Sequence, residues 1–455
     1  MLLEVAMVES PSPTPKPLSP HPEFAIVRPH AAGLDIGAEE IWAASPPGEH
    51  AHTVNKFGTF TADLHALTAW LKERGVKTVA MESTGVYWIP VYDVLERSGL
   101  EVFLVNAHHV KSVTGRKSDL LDCQWIQKLH SCGLLTGCFR PDEKTVAVRS
   151  LFRHRADLVR EAASSVQRMQ KAFTQMNVQL HHAVADITGK TGLLIIEAIL
   201  AGERNPAVLA MLRDRRCKSD EKTIAKALTG TWRDEHLFTI RQHLATWKHY
   251  REQIAMTDAA IAAALPQIPD DPDAGTPTEK PGKRGLNSMG FDAQTACQQK
   301  FGVDLTAIEG IGINAVMTIL TEVGTDFSRF KNSGAFCSWL GLAPNKRITG
   351  GKVISSRTKK THNRVNLALR QAASALRKSK SALGSIARNL DRRLGPSKGV
   401  VAMAHRLARY IYAMVTNGEA YVKRSLESLE QRRRENQTSL LKKLAAELNY
   451  SIAPQ

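Results

Sequence analysis

The chain is 455 residues long, 43% hydrophobic and 23% charged, which suits a globular protein of about two to four domains. No run of about 18 apolar residues occurs, so no transmembrane helix is expected, and the start MLLEVAMVESPSPTPKPLSPHPE lacks the basic end and long apolar run of an export signal. It reads as a Pro-rich disordered leader, residues 1–30, and a cytoplasmic location is expected. The six cysteines form no CxxC pair, which argues against a zinc knuckle; all six read as small buried hydrophobes in a reducing compartment. Lys and Arg number 61 against 44 Asp and Glu, for a net charge of +17. Residues 345–410 hold 17 Lys/Arg and a single acid, Asp391. A solubilising surface interleaves both signs, so this segment reads as a polyanion footprint. It carries Asn, Ser, Thr and Gly rather than an amphipathic stripe edged with aromatics, which disfavours a membrane surface.

Residues 31–140 show an α/β pattern. AAGLDIGAEEIWAA predicts a strand, a tight turn at Gly37 and a second strand, and HTVNKFGTF a third, closing an antiparallel meander. TADLHALTAWLKERG has helical spacing, with Leu64, Leu67 and Leu71 on one face. KTVAMES predicts a buried strand, VYWIPVYDVLERSG a helix, LEVFLVN a strand and GRKSDLLDCQWIQKLHSCG a last helix. Three antiparallel strands followed by alternating helices and strands is the order of a ribonuclease-H-like fold. Residues 141–265 read as helical. One stretch within them, EKTVAVRSLFRHRADLVREAASSVQRMQKAFTQMNVQL, has no Gly or Pro and predicts an extended arm or coiled coil. A second long helix, EHLFTIRQHLATWKHYREQIAMTDAAIAAAL, could pair back on it; a plain helical bundle is the alternative. Residues 266–289 form a linker by composition, 290–425 a mainly α C-terminal domain, and 426–455 a charged helical tail.

Four acids stand out in the first domain. Asp35 sits in an apolar strand, where a carboxylate is costly unless paired or metal-bound. Glu82 ends a strand in the same way. Asp119 and Asp122 are three apart on a helix and share one face. Acids converging from two strand ends and one helix could hold two magnesium ions, the arrangement used for in-line phosphodiester chemistry. A lone Asp in GLDIG also opens the phosphate site of actin-like kinases and ATPases, and a DxxD pair is often a solvated face. The ATPase reading would want a Gly-rich phosphate loop, and the chain has no GxGxxG or Walker pattern.

GLDIG, then MESTGVYWIPVYDVLERSGLEVFLVNAHHVKSVTGRKSDLLDCQWIQKLHSCGLL, resembles the DEDD transposases of bacterial insertion sequences, in the insertion sequence one-ten family. The later segment WLGLAPNKRITGGKVISSRTKKTHNRVNLALRQAA is similar to its eleven-eleven subgroup. The resemblance runs from about residue 31 to about 415. It implies a RuvC-like ribonuclease H domain, a coiled-coil arm and a C-terminal transposase domain, acting as a recombinase guided by a non-coding bridge RNA. The family's four acids fall on Asp35, Glu82, Asp119 and Asp122.

In the last domain, TAIEGIGINAVMTILTEVG predicts helix–turn–helix with its turn at Gly310-Ile311-Gly312, like a helix-hairpin-helix binder of DNA backbone; an αα-hairpin packed in the core is the alternative. Gly350-Gly351 predicts a flexible turn ringed by Lys352, Arg357, Lys359, Lys360 and Arg364. With Arg370, these cations read as phosphate contacts to DNA or RNA. The resemblance implies a serine nucleophile here. The parent family has Ser just before the Gly, where this chain has Thr349. Ser355 is the first choice, Ser356 the second and Thr349 the third; both serines could instead cap the next helix.

The expected function is therefore a magnesium-dependent transposase that cuts and rejoins donor and target double-stranded DNA, as a dimer or tetramer with a guide RNA and no membrane partner. The alternatives are a Holliday-junction-type endonuclease using metal-activated water, and a non-catalytic nucleic-acid-binding protein.

Overall fold

The computed structural model describes residues 25–48, 52–83, 85–105, 119–275, 285, 287–448 and 450, apart from the side chains of 119–121 and 347. The chain divides into two compact units, residues 1–140 and 141–455.

The first unit is built on strands β1 (Ala31–Ile36), β2 (Ile41–Ala44), β3 (Val54–Phe57), β4 (Thr78–Glu82) and β5 (Glu101–Val105). They form one sheet in the order β3-β2-β1-β4-β5. β1, β2 and β3 run antiparallel in a meander, whereas β4 lies parallel to both β1 and β5. Helices α1 (Thr61–Glu73), α2 (Trp88–Arg97) and α3 (Asp119–Ser131) complete the unit. Period-two alternation divides the central strands between two layers. Ala32, Leu34, Ile36, Val79 and Met81 join Leu64, Leu67 and Leu71 of α1 and Val91 and Leu95 of α2 in one core. Ala80 and Val105 pack on the other side with Ile126 of α3 and with Leu135. Each fully buried Leu or Met contributes about 1.5–3 kcal/mol, so the sheet is held from both faces. This mixed α/β unit is compatible with a ribonuclease-H-like fold. The leader was expected to reach residue 30. Residues 1–24 lie outside the described residues, but Val27 and Arg28 both donate their backbone N–H to the Ser131 carbonyl at 2.9 Å, and the Arg28 guanidinium lies 4.1 Å from the Phe103 ring centre.

The second unit is mainly helical. Helix α4 (Glu143–Gln175) starts at Asp142, whose carboxylate accepts from the Thr145 N–H at 3.0 Å. Four shorter helices follow: α5 (Leu180–Ala183), α6 (Lys190–Leu200), α7 (Pro206–Met211) and α8 (Glu221–Leu228). Then α9 (Asp234–Ala264) returns antiparallel along α4. Phe173, Ile195, Leu209, Ile224 and Leu237 share one core at the far end of this pair. Nearer its base the buried Arg155 and Asp258 form an ion pair, and Arg155 also donates to the Asn287 and Ser288 carbonyls at 3.2 Å. Residues 276–284 and 286 of the expected linker lie outside the described residues. Its described ends are packed, with Ile268 and Met289 buried.

The last part comprises α10 (Ala293–Phe301), α11 (Ile313–Val323), α12 (Ser333–Trp339), strands β6 (Arg347–Thr349) and β7 (Lys352–Ser355), and α13 (Arg364–Leu376), α14 (Ala382–Leu394), α15 (Pro396–Asn417) and α16 (Glu419–Glu447). Phe327, Phe336, Leu340, Leu369, Leu407 and Ile411 centre its core. The expected helix–turn–helix is corrected here. The segment before the glycines forms only a 3-10 turn, Leu305–Ala307, followed by non-helical residues. Asp304 caps the start of this turn, its carboxylate accepting from the Thr306 N–H at 2.8 Å and the Thr306 hydroxyl at 2.6 Å, and the backbone is already extended at Ile308 (φ −78°, ψ 112°), which ends it before the glycines. The β6–β7 hairpin was not expected in the mainly α domain. Cys123, Cys297 and Cys337 are buried as expected, but Cys138 is exposed. Among the described residues, no helix is long and apolar enough to cross a membrane.

Candidate active site

Asp35 and Glu82 end up beside each other for a reason visible in the strands. β1 and β4 are parallel neighbours whose last matched pair is Leu34 opposite Met81, so Asp35 and Glu82 each come directly after that pair, Asp35 still opposite Trp42 of β2 and Glu82 opposite Val105 of β5. Both alternate with core residues of the α1–α2 side, Leu34 with Asp35 and Met81 with Glu82, which turns both carboxylates to the face covered by α3. Both side chains are half-buried.

Helix α3 supplies the remaining acids. It lies directly on β1: a Cβ on Gly33 would stand 2.2 Å from the Gln127 nitrogen and 2.4 Å from the Cys123 carbonyl oxygen. Gly33 is thus required by close backbone approach. Gln127 reinforces the contact by donating its side-chain N–H to the Ala31 carbonyl at 3.1 Å. Cys123 and Ile126 face inward, and the half-buried Asp122 precedes Cys123. Burial pushes the Cys123 thiol up to about 12, and the negative charges of Asp35 and Asp122 push in the same direction. One thiol therefore feels carboxylates from β1 and from α3. Asp119 is the first residue of α3, and its side chain lies outside the described residues.

A cavity of about 360 Å³ opens at the β1–β2 turn, lined by Asp35, Glu39, Glu40 and Trp42 among others. Glu40 is tied to Lys56 at 2.5 Å. Among the described residues, no three His, Cys, Asp or Glu side chains form a group that could hold a metal ion. The donor chemistry still fits magnesium, because every acid of the set offers hard carboxylate oxygen and none offers sulfur or imidazole. Sequence reading missed Gly33 and Gln127, which position α3; an isolated glycine inside a strand is the signal that marks such an approach.

The C-terminal candidates lie in the second unit. Gly350 and Gly351 have φ of +54° and +76°, the left-handed pair of a two-residue hairpin turn. The pairing of β6 with β7 shifts between Arg347 and Ile348: Ile348 faces Val353, but Arg347 faces Ser355. This irregularity leaves Ile354 as an extra residue and breaks the strand's alternation just before Ser355, as a β-bulge does to re-aim a side chain. Ser355 is half-buried and its Oγ accepts from the Arg357 N–H at 3.3 Å; Ser356 and Thr349 are exposed. The serines do not cap a helix: α13 is capped by Asn363, whose side chain accepts from the Asn366 N–H at 3.1 Å. Lys352, Arg357, Lys359, Lys360 and Arg370 are exposed, and among the described residues none is paired with an acid. Arg364 instead lies 3.9 Å from Glu322, which is gripped by Arg153 at 2.6 Å and 2.8 Å. At the glycine turn, Gly310 has φ of +89°. Ile311 between the glycines is buried, while Gly312 opens α11 with no side-chain cap; the Ala315 N–H already bonds the Gly312 carbonyl at 2.8 Å, so among the described residues the Ile313 and Asn314 amides are the first-turn donors open to an anion.

Two family models match the chain. One, for the DEDD transposase of the IS110 kind and described as a transposase, covers residues 32–178; the other, described as transposase of the IS116/IS110/IS902 family, covers residues 304–385. The first spans all four acids and the second spans both glycine turns and the β6–β7 hairpin. No curated protein matches the chain. Matched by transposase models over two separate segments, one in each half of the chain, this chain is a DNA transposase, a recombinase enzyme, with its likeness to the IS110 family resting on those two segments.

Proposed function

We propose that this transposase cleaves and rejoins DNA strands with two kinds of residue, carboxylates that hold magnesium and a serine that bonds to DNA. The observation that carries the reading is the adjacency of Asp35 and Glu82 on parallel strands beneath the helix that bears Asp122. Asp35, Glu82, Asp119 and Asp122 would hold two magnesium ions, which would supply charge stabilisation to a phosphodiester undergoing in-line displacement. Ser355 would give up its proton as its Oγ bonds to phosphorus, and the phosphorus bond to the strand's 3′ oxygen would break, releasing a 3′-hydroxyl and leaving a phosphoserine link. The 3′-hydroxyl of the exchanged strand would then attack that link and free the serine. Exposed Lys352, Arg357, Lys359, Lys360 and Arg370, with the amides at Gly310 and Gly312, would hold backbone phosphates. Such contacts are blind to base identity, so target choice would rest on pairing with a non-coding guide RNA. The working form would be a dimer or tetramer.

The test is strand cleavage and joining by the purified protein with magnesium, element-end DNA, target DNA and RNA transcribed from the element's flanks. Glu82→Gln, isosteric and half-buried, is expected to keep the fold and lose about a hundredfold or more in rate, the scale of removing one electrostatic stabiliser. Undiminished joining by that variant would overturn the carboxylate reading.

A further inference from the structure

Outside the residues already discussed, the second unit holds a cavity of about 560 Å³ between α15, the start of α16 and the loop that leads into α12. Its volume lies within the range of about 300–1,000 Å³ typical of small-ligand pockets. Arg406, Arg409 and Tyr410 line it from α15, at spacings of three and four that place them on one helix face. Lys331 lines it from the loop and Tyr421 from α16.

The walls are held in place. The Tyr412 hydroxyl donates to the Phe330 carbonyl at 3.0 Å, fixing the residue before Lys331 against α15. Asn332 caps α12 by accepting from the Ala335 N–H at 2.9 Å, fixing the residue after it. Gly418, with φ of +82°, lets α16 leave α15 at a sharp turn, and the buried Val422 anchors the turn that carries Tyr421.

The charge is one-sided. No Asp or Glu lines the cavity, and among the described residues Lys331, Arg406 and Arg409 form no ion pair. Two acids lie within two residues of the pocket's α16 residues: Glu419 is paired with Lys423 at 2.5 Å, and neither Glu419 nor Glu427 lines the cavity. Tyr421 is 57% exposed at the rim and Tyr410 half-buried within. Three cations left without acids, beside the rings of Tyr410, Tyr412 and Tyr421, form the pairing that single-stranded nucleic acid uses: cations for the phosphates, a ring face for the base.

We propose that this cavity binds one unpaired nucleotide of a single strand, with Lys331, Arg406 and Arg409 on its phosphates and Tyr421 against its base. A base inside a duplex is already stacked on both faces and cannot lie on Tyr421, so the occupant is single-stranded. The inference rests on the transposase reading for the presence of nucleic acid, but not on the carboxylates or the serine. Arg406, Arg409, Tyr410 and Tyr421 all lie outside the two segments matched by the family models.

The test is photo-crosslinking of the full chain to 5-iodouracil-bearing single strands, one of DNA and one of RNA, with the crosslinked peptides mapped by mass spectrometry. Crosslinks at Tyr410 or Tyr421 support the pocket, and the strand that gives them identifies its source. In fluorescence anisotropy with the same strands, Tyr421→Ala is expected to bind roughly tenfold more weakly, whereas Tyr421→Phe keeps the ring and the affinity. Arg406→Gln with Arg409→Gln is expected to reduce the salt slope of binding by about 1.4, two phosphates' worth on a single strand. Crosslinks confined to residues 347–370, with unchanged affinity in Tyr421→Ala, would overturn the pocket and leave the transposase reading intact. Loss of strand joining in Glu82→Gln is read separately, since crosslinking needs no turnover.

Discussion

The Cys123 carbonyl of α3 occupies the space where a side chain on Gly33 of β1 would lie, 2.4 Å from an ideal Cβ. Helix α3 also carries Asp122 and begins at Asp119, and β1 carries Asp35. The spacing between β1, with Asp35, and α3, with Asp122, is therefore governed by a missing methyl group. Gly33→Ala must push α3 off the sheet, at a cost of about 1–3 kcal/mol for overpacking. The expected result is a lower midpoint in urea unfolding together with a loss of magnesium-dependent cleavage out of proportion to the unfolded fraction. Wild-type cleavage by a folded Gly33→Ala would show that α3 position is immaterial to the site.

Ser355 is set apart from Ser356 and Thr349 by the strand irregularity before it and by its partial burial. Ser355→Ala is expected to abolish the covalent protein–DNA adduct seen on a denaturing gel, while DNA binding by anisotropy stays within about twofold, since a hydroxyl adds little to a backbone grip dominated by cations. Ser356→Ala and Thr349→Ala should retain the adduct. An adduct that persists in Ser355→Ala and vanishes in either of the others would reassign the nucleophile; cleavage without any adduct in the wild type would favour a water nucleophile.

His130 is fully buried, with Nε2 2.9 Å from the Thr78 hydroxyl and Nδ1 without a hydrogen-bond partner among the described residues. Burial first, and then the positive charge of Arg28, lower its pKa from 6.5 to about 4. The folded state thus holds the neutral ring while the unfolded state takes up a proton below pH 6.5. Stability is expected to be undiminished by this group above pH 6.5 and to fall as pH drops from there towards 4, by a total on the order of 3 kcal/mol. Urea unfolding at pH 7.5 and 4.5 checks this. His130→Gln, which keeps a group able to bond Thr78 but has no charge to gain, should flatten that interval; an unchanged slope would assign the acid sensitivity to other groups.

Arg155 and Asp258 form a buried pair between α4 and α9. Asp258 also accepts from the Gly290 N–H at 2.9 Å, so the pair ties the long helices to the segment that leads into α10. Arg155→Ala strands a buried carboxylate and is expected to cost about 3–5 kcal/mol. Arg155→Met combined with Asp258→Leu removes both charges and should cost clearly less than the sum of the single changes, measured by chemical denaturation. Strict additivity would mean that the two side chains do not interact in solution.

The shared face of the candidate acids Asp35 and Glu82 follows from strand alternation, which is local and so legible in the sequence. The pattern in which Leu34 and Met81 face one core assigns Asp35 and Glu82 to the other face before any contact is known. The helical spacing of Leu64, Leu67 and Leu71 and the concentration of cations in residues 345–410 are local in the same way. The tertiary structure decided what local periodicity does not encode. The β6–β7 hairpin is short and leaves Ile348, Val353 and Ile354 exposed, so it has no core-facing alternation to announce it. The helix expected before Gly310 is cut to a single 3-10 turn because the backbone is extended at Ile308. The cationic cavity draws Lys331, Arg406 and Tyr421 from three separate elements. A residue's neighbours along the chain fix its face through backbone geometry, but which distant surface meets that face is settled by packing over the whole unit.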